Sequence, residues 1–350
     1  MKNAVILVIC LLSFYNNSIS QPTDNELINF KKRKNAEKTY NEGISKILNE
    51  DYYAAITEFN KALQLNPQFI EAMLERGKAK FQLNDEYGAL TDFNKIIEIK
   101  PNYGEAYFNR GYVSFIFDSA NADVSDFDKA IQLGYQEPEV YYYRGVIKLT
   151  KEDYDGAIFD FSLAIERKPN YAKAYHDRGT AKVRINDYQG AIYDFRLAVN
   201  YDPNFIIAYN NMGSAKKMVG DFQGSINDYT AAIILDSTFY ISYNNRGGAK
   251  LILGDIQGAI SDFETALGLK EDYYPAISNL GNVAAKTGDY EKAVEYFDKA
   301  IELNSKHAIG YLNRGLAKEL LGDLEGACAD WKSAALLGIE DAKTYLKECE

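Results

Sequence analysis

The sequence has little of what catalysis usually needs. Two histidines and three cysteines are spread over 350 residues, and no glycine-rich phosphate loop, HExxH or CxxC arrangement occurs. With no nucleophile or ligand set to start from, the chain reads as a non-enzyme with no cofactor and no metal. His307 falls in a turn, and His176 has Asp177 beside it. Adjacent helix residues point apart, so no base and orienter are expected there. Proline is scarce, 7 in all, which excludes a proline-rich or disordered chain. Positive charge is the minority sign: 39 Lys+Arg against 50 Asp+Glu leave a net −11. An acidic chain lacks the basic face that nucleic acid rewards. The run Lys31-Lys32-Arg33-Lys34 is local, is followed by Glu37, and reads as a solvated helix face.

The apolar run Ala4 to Leu12 is too short to span a bilayer, which needs about 20 residues. With Lys2 before it and the small residues Ser18 and Ser20 after it, it reads as an export signal over residues 1–20, cleaved before Gln21. That reading places the mature chain in the periplasm, the cell envelope or the medium. Cys10 could take a lipid anchor, but bulky Ile9 precedes it.

Against these absences stands one strong regularity. Gly43, Gly77, Gly111, Gly145, Gly179, Gly213, Gly247, Gly281 and Gly315 fall 34 residues apart without a break. Counted from 1 in each unit, glycine is position 8, alanine recurs at position 20 (Ala55, Ala89, Ala157, Ala191, Ala259, Ala293, Ala327), and an aromatic at position 24 runs from Phe59 to Trp331. Proline stands at position 32 in four units (Pro67, Pro101, Pro169, Pro203). Two helical apolar patterns per unit are separated by Gly-Asp or Asn-Asp turns such as Gly254-Asp255 and Gly288-Asp289. Such a pair is too small to bury its own apolar face, so neighbours must stack.

This pattern resembles the tetratricopeptide repeat family. The resemblance implies an all-α, right-handed superhelical solenoid of nine helix-turn-helix units over residues 36–341, with the first helix of each pair lining a concave groove. Residues 21–35 extend the first helix, where Thr23 and Glu26 have capping-box spacing, and residues 342–350 form a capping helix carrying Tyr345 and Leu346. Asp123 and Ser225 replace the expected alanine and mark units three and six as soft points.

Basic residues sit where the family usually has apolar ones. Arginine recurs at position 7 and lysine at position 11, as in Arg246 and Lys250, while position 23 is acidic, as in Asp262. Positions 7 and 23 are equidistant from the turn, so antiparallel helices can bring them together. Unit eight replaces all three charges at once, with Leu280, Ala284 and Tyr296, which favours a structural ion pair within each unit over a partner contact. In unit one Lys46 is expected to pair with Glu42 and Glu58. Cys328 and Cys349 lie ten and eleven residues from the turn near Gly338, at similar height on antiparallel helices. They form either a disulfide that clips the cap or two unrelated thiols.

Position 6 is asparagine in Asn109, Asn211, Asn245, Asn279 and Asn313. The family's groove places it on the concave face, where an amide matches one peptide C=O and N–H. The resemblance implies an asparagine ladder for an extended protein or peptide segment, joined by Tyr142 and His176; asparagine merely tolerated on a solvated face is the alternative. The groove carries Glu71, Glu105 and Glu139 early and Lys173, Arg184, Lys217 and Lys286 later. The expected function is a non-catalytic scaffold that binds an extended segment or a helix of a partner protein in its concave groove, the alternative a self-associating or tethering envelope component that could form a homo-oligomer.

Overall fold

The computed structural model describes residues 23–119 and 121–349, and every regular element among them is helical. They fall into two compact bodies, one ending at Tyr135 and one starting at Gln136. The first holds α1 (Asp24–Leu48), α2 (Tyr52–Leu65), α3 (Ile70–Gln82), α4 (Glu86–Ile99), α5 (Gly104–Phe117) and α6 (Ser125–Gln132). The second holds α7 (Pro138–Thr150), α8 (Tyr154–Arg167), α9 (Ala172–Arg184), α10 (Tyr188–Tyr201), α11 (Ile206–Met218) and α12 (Phe222–Leu235). It continues through α13 (Tyr240–Ile252), α14 (Ile256–Leu269), α15 (Tyr274–Lys286), α16 (Tyr290–Leu303), α17 (Ala308–Leu320), α18 (Leu324–Leu336) and α19 (Ala342–Tyr345). Within each body consecutive helices pack as pairs, and pairs stack on their sequence neighbours. The export-signal reading of residues 1–20, Cys10 included, lies outside the described residues. Among the described residues no helix is long and apolar enough to cross a membrane.

The hairpin turns have a repeated cause. The residue before each capping aspartate takes a left-handed backbone, as in Gly254 (φ 85) and Asn186 (φ 63), which stops the first helix. The next residue, Asp255 or Asp187, then accepts the N–H three residues on and starts the second helix. Close approach does the rest. A Cβ on Gly247 would lie 2.7 Å from Cε1 of Phe263, so only glycine lets that ring seat fully.

Most pairs are also stapled by charge. Arg246 donates from Nε and Nη2 to Asp262 at 2.9 and 2.7 Å, and Lys250 Nζ sits 2.8 Å from Asp262 Oδ2. The same trio recurs as Arg76, Lys80 and Asp92, and as Arg178, Lys182 and Asp194. In the α15–α16 pair Leu280 and Tyr296 meet in an apolar cluster instead. In the first pair the acids turn elsewhere: Glu58 takes Lys61 at 2.7 Å and Glu42 takes Lys38 at 3.9 Å, each on its own helix, rather than Lys46. The helix brings those lysines within reach at i+3 and i−4.

The two expected soft points behave differently. α6 starts only at Ser125, leaving the stretch around Asp123 non-helical, whereas α12 runs its full 14 residues around Ser225. Ser225 is small enough to be buried, and its hydroxyl is satisfied by the carbonyl of Phe222. Both ends are finished. Thr23 and Glu26 form a reciprocal capping box at the start of α1. At the other end α19 and a 3-10 turn, Leu346–Cys349, fold onto α18, where Tyr345 stacks on Trp331 and Cys349 is bonded to Cys328 at 2.02 Å.

Candidate functional site

In the C-terminal body the first helices of successive pairs, α7, α9, α11, α13, α15 and α17, are joined by a continuous row of side-chain hydrogen bonds. Tyr142 Oη donates to Asp177 Oδ2 at 2.8 Å, and Asp177 Oδ1 lies 2.7 Å from His176 Nδ1. The far side of that ring, Nε2, is 3.1 Å from the amide nitrogen of Asn211, so Nε2 accepts and Nδ1 carries the proton. Adjacent residues in this helix therefore do meet. Nδ1 lies near its own backbone, where the short Asp177 side chain can reach it sideways while Tyr142 holds the other oxygen.

The row continues as amides alone. Asn210 donates to Asn211 at 3.4 Å, and Asn245 donates to Asn210 at 3.1 Å, where Ser242 adds a second donor at 3.0 Å. Asn244 donates to Asn245 at 3.3 Å, Asn279 to Asn244 at 2.9 Å, Asn282 to Asn279 at 3.4 Å and Asn313 to Asn282 at 2.8 Å. The position-6 amides are half-buried, while Asn210 and Asn244 behind them are buried. Each position-6 amide is thus held in one orientation by a neighbour, with its second N–H and second lone pair still to be used. The position-5 asparagines were not singled out from sequence. Their signal was the Asn-Asn dipeptide at 210–211 and 244–245.

Asn109 stands apart from this row. It lies in the N-terminal body, is buried, and donates to the carbonyl of Glu105 one turn back in α5, so it is withdrawn from a ladder role. Two of the early glutamates are engaged as well: Glu105 pairs with Lys78 at 2.8 Å, and Glu139 with Lys168 at 3.3 Å.

Burial and the charge of Asp177 push the Tyr142 hydroxyl well above its ordinary pKa, which keeps it a neutral donor. Exposed apolar side chains lie on the same helices before and after the row, Ile207 and Ile309 in the first turns of α11 and α17, and Met218, Ile252 and Leu320 at the ends of α11, α13 and α17. A cavity of about 270 Å³ opens beside Asn211, with Phe195 and Ala215 in its lining and Arg184 on its wall. Burial depresses the pKa of Lys217 on the same helix. Lys286 donates to the carbonyl of Leu251. Among the described residues no group of three or more His, Cys, Asp or Glu side chains could hold a metal ion.

Models of the tetratricopeptide repeat family match residues 138–171, 240–273 and 274–307. No curated protein matches the sequence. Among solved structures, the APC/C hetero-tetramer Cut9–Hcn1 aligns over 89% of this chain and 76% of its own, at 15% identity and a TM-score of 0.57. PilW, a widely conserved type IV pilus biogenesis factor, aligns over 60% of this chain and 98% of its own, at 20% identity and a TM-score of 0.54. PilF of Pseudomonas aeruginosa aligns over 60% and 97%, at 18% and 0.51. At these identities the likeness is one of fold. Stacked helix pairs, an unbroken 34-residue period and three matched units make this chain a multi-repeat tetratricopeptide protein.

Proposed function

We propose that the protein is an exported, non-catalytic scaffold that holds an extended segment of a partner protein along the inner helices of its C-terminal body. A tetratricopeptide array is a protein-interaction fold. The observation that carries the finer reading is the row from Tyr142 to Asn313, in which each amide is fixed by its neighbour before any partner arrives. Pre-orientation lowers the entropy lost on binding. The free donor and acceptor of Asn211, Asn245, Asn279 and Asn313 suit a peptide backbone, and the flanking Ile207, Met218 and Ile252 suit its apolar side chains. Export rests on residues 1–20 and fits the bonded pair Cys328–Cys349, since disulfides persist in oxidising compartments.

The test is affinity capture from the native envelope fraction with the wild type and with Asn245→Ala/Asn279→Ala. A partner retained by the wild type and lost by the double variant, at unchanged helical content, supports the reading. Equal capture by both, or a change in self-association alone, overturns it in favour of a tethering role.

A further inference from the structure

In one hairpin the charge staple keeps its arginine and aspartate but lacks its lysine, and a cavity opens where that lysine would sit. In five pairs a buried aspartate holds an arginine and a lysine together, with the lysine Nζ 2.8 Å from Oδ2 of Asp92, Asp160, Asp194, Asp262 or Asp330. Lys80 and Lys250 donate in addition to the carbonyls of Gly88 and Gly258. The ammonium position is therefore defined by a carboxylate and a backbone oxygen. Between α5 and α6 the corresponding residue is Ser114, which is too short to reach that position.

Arg110 keeps its own place there, donating to both oxygens of Asp126 at 2.8 and 2.6 Å. The Asp126 side chain is 17% exposed, whereas the other five aspartates are 0–5% exposed. Because α6 starts late, the first turn that closes over the hairpin elsewhere is also missing. The result is a cavity of about 310 Å³ with Arg110, Ser114, Ala122 and Asp126 in its lining. Ala122 stands at the position of Gly88 and Gly258. Asp118 and Asp123 also border it, engaged with Asn121 and Ser125, and leave the lining net negative.

We propose that this cavity binds a primary alkylammonium group, with Asp126 Oδ2 as its ion-pair partner. The guanidinium position is already filled by Arg110, so the vacancy matches an ammonium and not a second arginine. A point charge on a flexible alkyl stem is what five other hairpins place at this spot. The group belongs either to a lysine side chain of a partner or to a free amine. The site lies in the N-terminal body and is independent of the groove reading.

The experiment is titration calorimetry of the full chain with n-butylammonium and with Nα-acetyl-lysine amide, using the wild type and Ser114→Lys. That variant supplies the missing ammonium while keeping Arg110 and Asp126. The expected result is saturable binding of at least one probe by the wild type, weakened about tenfold or more in the variant. Tighter binding of the lysine probe assigns the site to a protein lysine, and equal or tighter binding of butylammonium assigns it to a free amine. No saturable binding by the wild type overturns the proposal, as does equal binding by a folded Ser114→Lys. If Ser114→Lys misfolds, Ser114→Met fills the space without charge and is expected to give the same loss, with retained binding overturning the site.

Discussion

At the scale of single residues, the staple shows how a charge can be structural without a large net contribution. Asp262 is buried and accepts from Arg246 and Lys250, so its removal strands two cations in a poorly solvated hairpin. Breaking one partner of a buried pair costs about 3–5 kcal/mol, whereas replacing the whole set with apolar groups is close to neutral. The α15–α16 pair illustrates the second case with Leu280, Ala284 and Tyr296. Asp262→Ala is therefore expected to lower the urea midpoint more than Asp262→Ala combined with Arg246→Leu. A double variant whose loss equals or exceeds the sum of the singles would rule out the coupling. This pairing was legible because the nine units act as internal controls on one another. A further link was not: Arg246 Nη1 also reaches Thr230, and Arg178 Nη1 reaches Ser162, on the second helix of the preceding pair. Its trace is only a polar residue sixteen positions before the arginine, of varying type: Asn60, Asn94, Ser162, Thr230 and Asp298. The amide row was half legible for the same reason. Position 6 repeats as asparagine, but which neighbour each amide bonds depends on how the inner helices stack.

At the scale of elements, the joints between helices carry both the chemistry and the weak points. His307 caps the entry to α17 and its Nε2 lies 2.9 Å from the hydroxyl of Ser278 in α15. Burial depresses its pKa below the ordinary imidazole value. Below that ordinary value the unfolded chain takes up a proton that the folded chain does not, so folding stability falls as pH drops through the window between the two. Acidification from neutral pH to about 5 is thus expected to lower the midpoint of the wild type more than that of His307→Gln, measured by denaturant unfolding at both pH values. An equal response would mean that His307 titrates normally. The C-terminal cap makes a second prediction. Cys328 and Cys349 enclose a loop 21 residues apart in sequence. Closing such a loop contributes about 3 kcal/mol by chain entropy. Reductant should raise the intact mass by two hydrogens and lower the melting temperature. An unchanged mass would show two separate thiols. The start of α6 lay beyond the repeat pattern: one aspartate in place of alanine predicts a defect, but not that the first turn of the helix unwinds.

At the scale of the whole molecule, the apolar clusters of each body are shared between neighbouring helix pairs, and stability accumulates pair by pair. Within the C-terminal body the main contacts of α13 are with α12 and α14, with smaller ones to α11 and α15. Damage should therefore stay near its origin. Gly247 is a suitable place to inflict it, since any side chain there drives a Cβ to 2.7 Å from the Phe263 ring and 3.1 Å from the carbonyl of Ala259. Neither neighbour can yield easily, because Phe263 is fully buried and Ala259 belongs to the helix backbone. Gly247→Val is expected to cost about 1–3 kcal/mol from overpacking. Native-state hydrogen exchange should then accelerate in α11 to α16 and remain near wild-type rates in α7 and α8, because local opening in a stacked array propagates through nearest neighbours. A uniform acceleration from α7 to α18 would mean that this body unfolds as one cooperative unit. In that case Asn211 and Asn313, at opposite ends of the amide row, would lose their order together, and a partner held at one end would stabilise the other.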